Sequence, residues 1–126
     1  MRIAALVAAG VFALGLAGPA AHAQDRGEQC FFQHSIENFI PTDDEKTIYL
    51  RITGGAVYRI DLASQCPGLA FRDKIELNQF GNGNICSALD LDLKLREGRV
   101  AVPCILSGLH RLTPVELAAV PKKYRP

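Results

Sequence analysis

The chain has 126 residues, is 48% hydrophobic, and carries 14 Lys+Arg against 13 Asp+Glu. That length supports one domain around a single modest core. The two signs of charge nearly balance and are interspersed, which excludes a basic stripe for nucleic acid and an acidic tail.

The N-terminus reads as a secretory signal peptide over residues 1–23. Met1-Arg2 supplies one positive charge, Ile3 to Ala17 is an uncharged apolar run, and Gly18-Pro19 breaks it. Ala21-His22-Ala23 has the small-x-small pattern of a cleavage site, which places the cut between Ala23 and Gln24. The run is shorter than the roughly 20 residues a membrane span needs. A stable span after cleavage is therefore not expected. Gly27-Glu28-Gln29 before Cys30 lacks the small-residue pattern of a lipoprotein signal. Residues 24–126 then form one domain, and losing Arg2 leaves 13 basic and 13 acidic side chains.

Cys30-Phe31-Phe32-Gln33-His34-Ser35-Ile36 reads as a first strand, with Cys30, Phe32, His34 and Ile36 on one side. Pro41 to Lys46 is a polar turn. Its Asp43-Asp44-Glu45 run lacks the alternation and glycine of a calcium loop. Thr47 to Thr53 alternates, with Ile48, Leu50 and Ile52 inward and Tyr49 and Arg51 outward. Gly54-Gly55 turns the chain, and Ala56 to Leu62 returns with Tyr58, Ile60 and Leu62 inward and Arg59 and Asp61 outward. Pro67-Gly68 forces a turn beside Cys66, and Lys74 to Phe80 reads as a strand. Gly81 to Asn84 is a turn-rich loop with no helix after it to make a phosphate cradle.

The clearest pattern is Leu89 to Cys104. Leu89, Leu91, Leu93 and Leu95 alternate with Asp90, Asp92 and Lys94, and Val100, Val102 and Cys104 resume the alternation after a turn. Pro103 lies on the outward parity and cannot donate a ladder bond, which predicts an edge strand or a bulge. Thr113-Pro114-Val115-Glu116 carries N-cap, N1 and N3 signals for a helix over Pro114 to Val120, stopped by Pro121. The fold class is mainly β: a small antiparallel barrel or sandwich of about six strands with a short C-terminal helix.

Four cysteines, Cys30, Cys66, Cys86 and Cys104, predict two disulfides in an exported chain. Three pairings are possible. Parity favours Cys30–Cys104, both inward from strands, and Cys66–Cys86, both in loops. A zinc site is set aside, because no Cys-x-x-Cys pair accompanies Cys30-x3-His34 or Cys104-x5-His110. No cofactor is expected.

Candidate catalytic groups are few. Asp90 and Asp92 are two apart on one strand face, about 7 Å, near the separation of some glycosidase carboxylates. The same alternation equally describes the wet side of an amphipathic strand, and that reading is preferred. His34 and His110 are the histidines left after cleavage, and Leu106-Ser107-Gly108 does not complete a nucleophile elbow. No catalytic or metal residue is assigned. Without Trp or Met, residues 24–126 lack the commonest large and soft binding anchors.

Taken together, Cys30-Phe31, Cys66-Pro67-Gly68-Leu69, Ile85-Cys86 with Asp90 behind it, Cys104 and Thr113-Pro114-x-Glu116 resemble a family of small exported proteins of Gram-negative bacteria catalogued as a domain of unknown function. The resemblance implies an envelope protein with cysteines at these places, and it carries over no catalytic residue. The expectation is a periplasmic or secreted non-catalytic module that binds a protein or envelope component. The alternatives are a hydrolase inhibitor, presenting Pro41–Lys46 or Gly81–Asn84 as its loop, and a small hydrolase.

Overall fold

The computed structural model describes residues 30–71, 74–81 and 84–126. The predicted signal peptide and its Ala23–Gln24 cut lie outside these residues, as does the middle of the Gly81–Asn84 loop. Among the described residues seven strands form two open antiparallel sheets. One has the order β1-β2-β3-β7, from β1 (Ile36–Pro41), β2 (Thr47–Ile52), β3 (Val57–Leu62) and β7 (Leu106–Arg111). The other has the order β4-β5-β6, from β4 (Ile75–Gln79), β5 (Leu91–Glu97) and β6 (Val100–Cys104). One helix, α1 (Pro114–Ala119), follows β7.

Both sheets contribute to a single core. Ile48, Leu50, Tyr58 and Ile60 of the first sheet join Leu91, Leu93 and Leu95 of the second, all nearly inaccessible to solvent. The period-two pattern produces this directly, since every second residue of β2, β3 and β5 faces the other sheet. The β5–β6 connection is a two-residue turn in which Gly98 has φ 62°, the positive φ that a tight hairpin needs at its first central position. The β2–β3 connection is wider than the expected Gly54-Gly55 pair: Ile52 N–H donates to Ala56 O at 3.0 Å, enclosing Thr53, Gly54 and Gly55.

Several expectations about which residues form strands and face inward need correction. The first strand begins at Ile36; before it lies a 3-10 turn, Gln33–Ser35. Phe31, and not Phe32, is buried, while Phe32 is exposed and stacks on His34. Leu89 is 84% exposed because it lies in a 3-10 turn, Ala88–Asp90, ahead of β5. Val100 and Val102, on the edge strand β6, stay exposed, although Val102 opposes the buried Leu95.

The disulfides pair Cys30–Cys86 and Cys66–Cys104, overturning the parity assignment. Phe31 and Ile85 form an isolated antiparallel bridge, with bonds of 3.0 and 2.7 Å. Continuing that register by one residue sets Cys30 opposite Cys86, and their Cα atoms are 4.1 Å apart. Ala63 N–H donates to Ile105 O at 2.9 Å, which brings the loop after β3 to the end of β6 and Cys66 to Cys104. The second bridge therefore ties one sheet to the other.

The sheet edges are managed by side-chain chemistry. Thr42 N–H donates to Thr47 O, so along β1 the even-numbered residues bond β2 and the backbone of Pro41 faces away. Phe80 N–H donates to Asp90 O, so the odd-numbered residues of β5 bond β6, and the backbone of Pro103 also faces away. Both prolines thus remove an N–H only from an outward edge, where it would invite another strand. As expected from its proline, β6 is an edge strand. Gln33 Nε2 caps the β4 edge by donating to Leu77 O at 3.0 Å.

Candidate functional site

The predicted candidates do not converge. Asp90 is not on a strand face; its Oδ2 accepts from the Cys86 and Ser87 N–H groups, both at 2.9 Å, and from Ser87 Oγ at 3.1 Å. Those donors, the backbone pair first, hold its carboxyl below the ordinary aspartate value. Asp92 lies on β5 and pairs with Lys94 Nζ at 2.6 Å. His34 precedes β1 and His110 lies on β7, the two outer strands of the first sheet, three strand spacings or about 14 Å apart. The acidic turn is equally dispersed. Asp43 pairs with Lys123, Asp44 accepts from Thr42 Oγ1, and Glu45, at φ 58°, accepts from Gly68 N–H at 2.8 Å. Among the described residues no three His, Cys, Asp or Glu side chains cluster as metal ligands.

A different site forms on the outer face of the first sheet. The pairings Tyr49↔Arg59 and Arg59↔His110 set these three side chains in one row across β2, β3 and β7. The C-terminal segment crosses this face. Its helix starts at Thr113, whose Oγ1 accepts from Glu116 N–H at 3.2 Å while Glu116 Oε2 accepts from Thr113 N–H at 2.7 Å. Such a six-residue helix depends on caps and packing, and Val120 supplies the packing by burying its side chain at the helix end. Beyond it Tyr124 stacks on Tyr49 with centroids 6.5 Å apart, and Arg51 donates to Pro126 O at 3.0 Å. Arg125 turns back to donate to the Val120 and Ala118 carbonyls.

Between this segment and the sheet lies a cleft of about 240 Å³, lined by Tyr49, Arg59, Leu112, Glu116, Ala119, Val120 and Pro121. Arg59 is oriented by Asp61, with Nε to Oδ2 at 3.1 Å. Glu116 is oriented twice, by the Thr113 N–H and by His110 Nε2 at 3.1 Å. The Thr113 N–H and then His110 keep its carboxyl below the ordinary glutamate value. The site thus offers one guanidinium, one carboxylate and apolar walls.

Tyr49 and Arg59 belong to no motif, and Glu116 stands out in sequence only through the Thr113-Pro114-x-Glu116 pattern. The signal present was the outward parity of Tyr49 and Arg59 on an unambiguous hairpin, together with the N3 position of Glu116. What the sequence lacks is the path that folds the C-terminal segment over that row. Of the expected site residues, only His110 belongs to this neighbourhood.

No helix among the described residues is long and apolar enough to cross a membrane. Comparison with curated proteins and with solved structures finds no match. A family model, by contrast, matches residues 1–125, with the four cysteines and mainly-β fold described above, and the chain belongs to that family, DUF6491, a family of unknown function.

Proposed function

We propose that the chain is an exported, non-catalytic binding module of the cell envelope that uses the cleft beneath α1. The observation carrying this reading is that cleft, a concave site of about 240 Å³ whose Arg59 and Glu116 are each held in place by a neighbour. Preorganised polar groups beside apolar walls are what small-ligand sites require. Export is supported by the N-terminal sequence pattern and by two disulfides, which persist in oxidising compartments. A hydrolase is disfavoured because Asp90, Asp92, His34 and His110 occupy separate places. The inhibitor reading is disfavoured at the Pro41–Lys46 turn, since Asp43 and Glu45 bind that turn back onto the domain.

The test combines cell fractionation with site-specific photocrosslinking. The protein is expected in the periplasmic or secreted fraction, and a photoreactive residue at Ala119 is expected to capture a partner that the same residue at Lys94, on the second sheet, does not. Recovery in the cytoplasm, or equal capture from Lys94, would overturn the reading.

A further inference from the structure

The chemistry of the cleft narrows what it can hold. Arg59 brings a permanent positive charge, and its Nε–H is the donor that goes to Asp61. A guanidinium carries four further N–H groups in the plane that suits a carboxylate. Glu116 lines the same cleft and keeps its charge through the Thr113 N–H. A carboxylate has about four acceptor positions, so Thr113 and His110 leave capacity for a ligand donor. The two lining charges are of opposite sign, and Asp61 offsets part of that of Arg59 from outside the lining. A simple anion would gain Arg59 but face Glu116, and a simple cation would gain Glu116 but face Arg59. Only a ligand carrying both an acceptor group and a cationic donor satisfies both walls. The remaining lining comes from Tyr49, Leu112, Ala119, Val120 and Pro121 and carries no further charge. At about 240 Å³ the cleft lies below the roughly 300–1,000 Å³ of drug-sized sites, which favours a smaller ligand.

We infer that the cleft binds a small zwitterion with an apolar side chain, such as a free aliphatic amino acid, its carboxylate on Arg59 and its ammonium on Glu116. The inference rests on the cleft being the binding site. It adds that the ligand is dipolar and small.

The test is an NMR titration of the 15N-labelled protein with leucine, N-acetylleucine and leucinamide. Each derivative keeps the side chain and removes one of the two charges. Leucine is expected to shift the amides of β3, β7 and α1 saturably, and each derivative is expected to bind at least tenfold more weakly. Arg59→Gln and Glu116→Gln should each weaken leucine at least tenfold. The glutamine at 116 can still serve as the N3 residue of the capping box, so α1 is retained. Equal affinity for leucine and either derivative would overturn the inference. So would leucine binding unaffected by Arg59→Gln, or no saturable shift with leucine. If leucine fails while a photoreactive residue at Ala119 still captures a partner, the dipolar-ligand inference falls and the binding-module reading stands. If both fail, the cleft itself is not the site.

Discussion

Removing the bridge between the sheets should cost a large share of the stability. Cys66 and Cys104 are separated by 38 residues in sequence and both are buried. In the loop-entropy account, closing a loop of that length removes unfolded-state freedom equivalent to about 4 kcal/mol. The second bridge, Cys30–Cys86, overlaps it in sequence, so the unfolded chain that keeps Cys30–Cys86 is already restricted and the figure is an upper value. Small domains are stable by only about 5–15 kcal/mol. The double variant Cys66→Ala/Cys104→Ala is therefore expected to lose about 3–4 kcal/mol. That corresponds to a drop of roughly 12–30 °C in melting temperature for a domain of this size. Urea unfolding followed by far-UV circular dichroism measures it. A loss under about 1 kcal/mol would refute the reasoning.

Three further outcomes follow from the same geometry. Trypsin sites place each cysteine in its own peptide, 27–46, 60–72, 75–94 and 100–111. A non-reducing digest should link 27–46 to 75–94 and 60–72 to 100–111, and any other pairing contradicts the register at Phe31–Ile85. The Asp90 carboxyl is held below the ordinary aspartate value by the Cys86 and Ser87 N–H groups. Its contribution is complete above the unfolded pKa and disappears as pH falls through the lower folded one. The urea midpoint of the wild type should thus fall below about pH 4, and Asp90→Asn should remove part of that fall while lowering stability at pH 7; identical pH profiles for the two would contradict it. Thr113→Ala should cost about 1 kcal/mol and speed amide exchange in α1, and unchanged exchange there would show that the cap does not hold the helix.

Where alternation is unbroken, as in β2, β3 and most of β5, the sequence showed both the strand and its buried face. It was blind to β7. The pairing shifts between Asp61 and Leu62, so Asp61 opposes Gly108 while Leu62 opposes Leu106, and Ser107 is an extra residue. Leu106 and Leu109 both reach the core although three residues apart, which a period-two test cannot detect. The disulfide error had a similar source. Parity holds at Cys30 only where a strand runs unbroken into Ile36, but the Gln33–Ser35 turn intervenes and a single distant bridge, Phe31 to Ile85, sets the geometry. Asp90 looked like half of a carboxylate pair because its neighbours alternate. Its capping role appears only once Cys86 and Ser87 are seen to point their N–H groups at it. The cleft depends on contacts such as Tyr49 with Tyr124 and Arg51 with Pro126, each bridging about 75 residues of chain, and no local pattern encodes them.

The most direct test of the cleft as the working site fills it. Ala119 lines the cleft and is exposed, so Ala119→Phe occupies its space without disturbing the core. A surface substitution of this kind should leave stability within about 0.5 kcal/mol. With a photoreactive residue at Leu112 in the native envelope, the wild-type background is expected to capture its partner and the Ala119→Phe background to lose at least nine-tenths of that capture, about a tenfold fall. Undiminished capture by a folded Ala119→Phe protein would contradict the account.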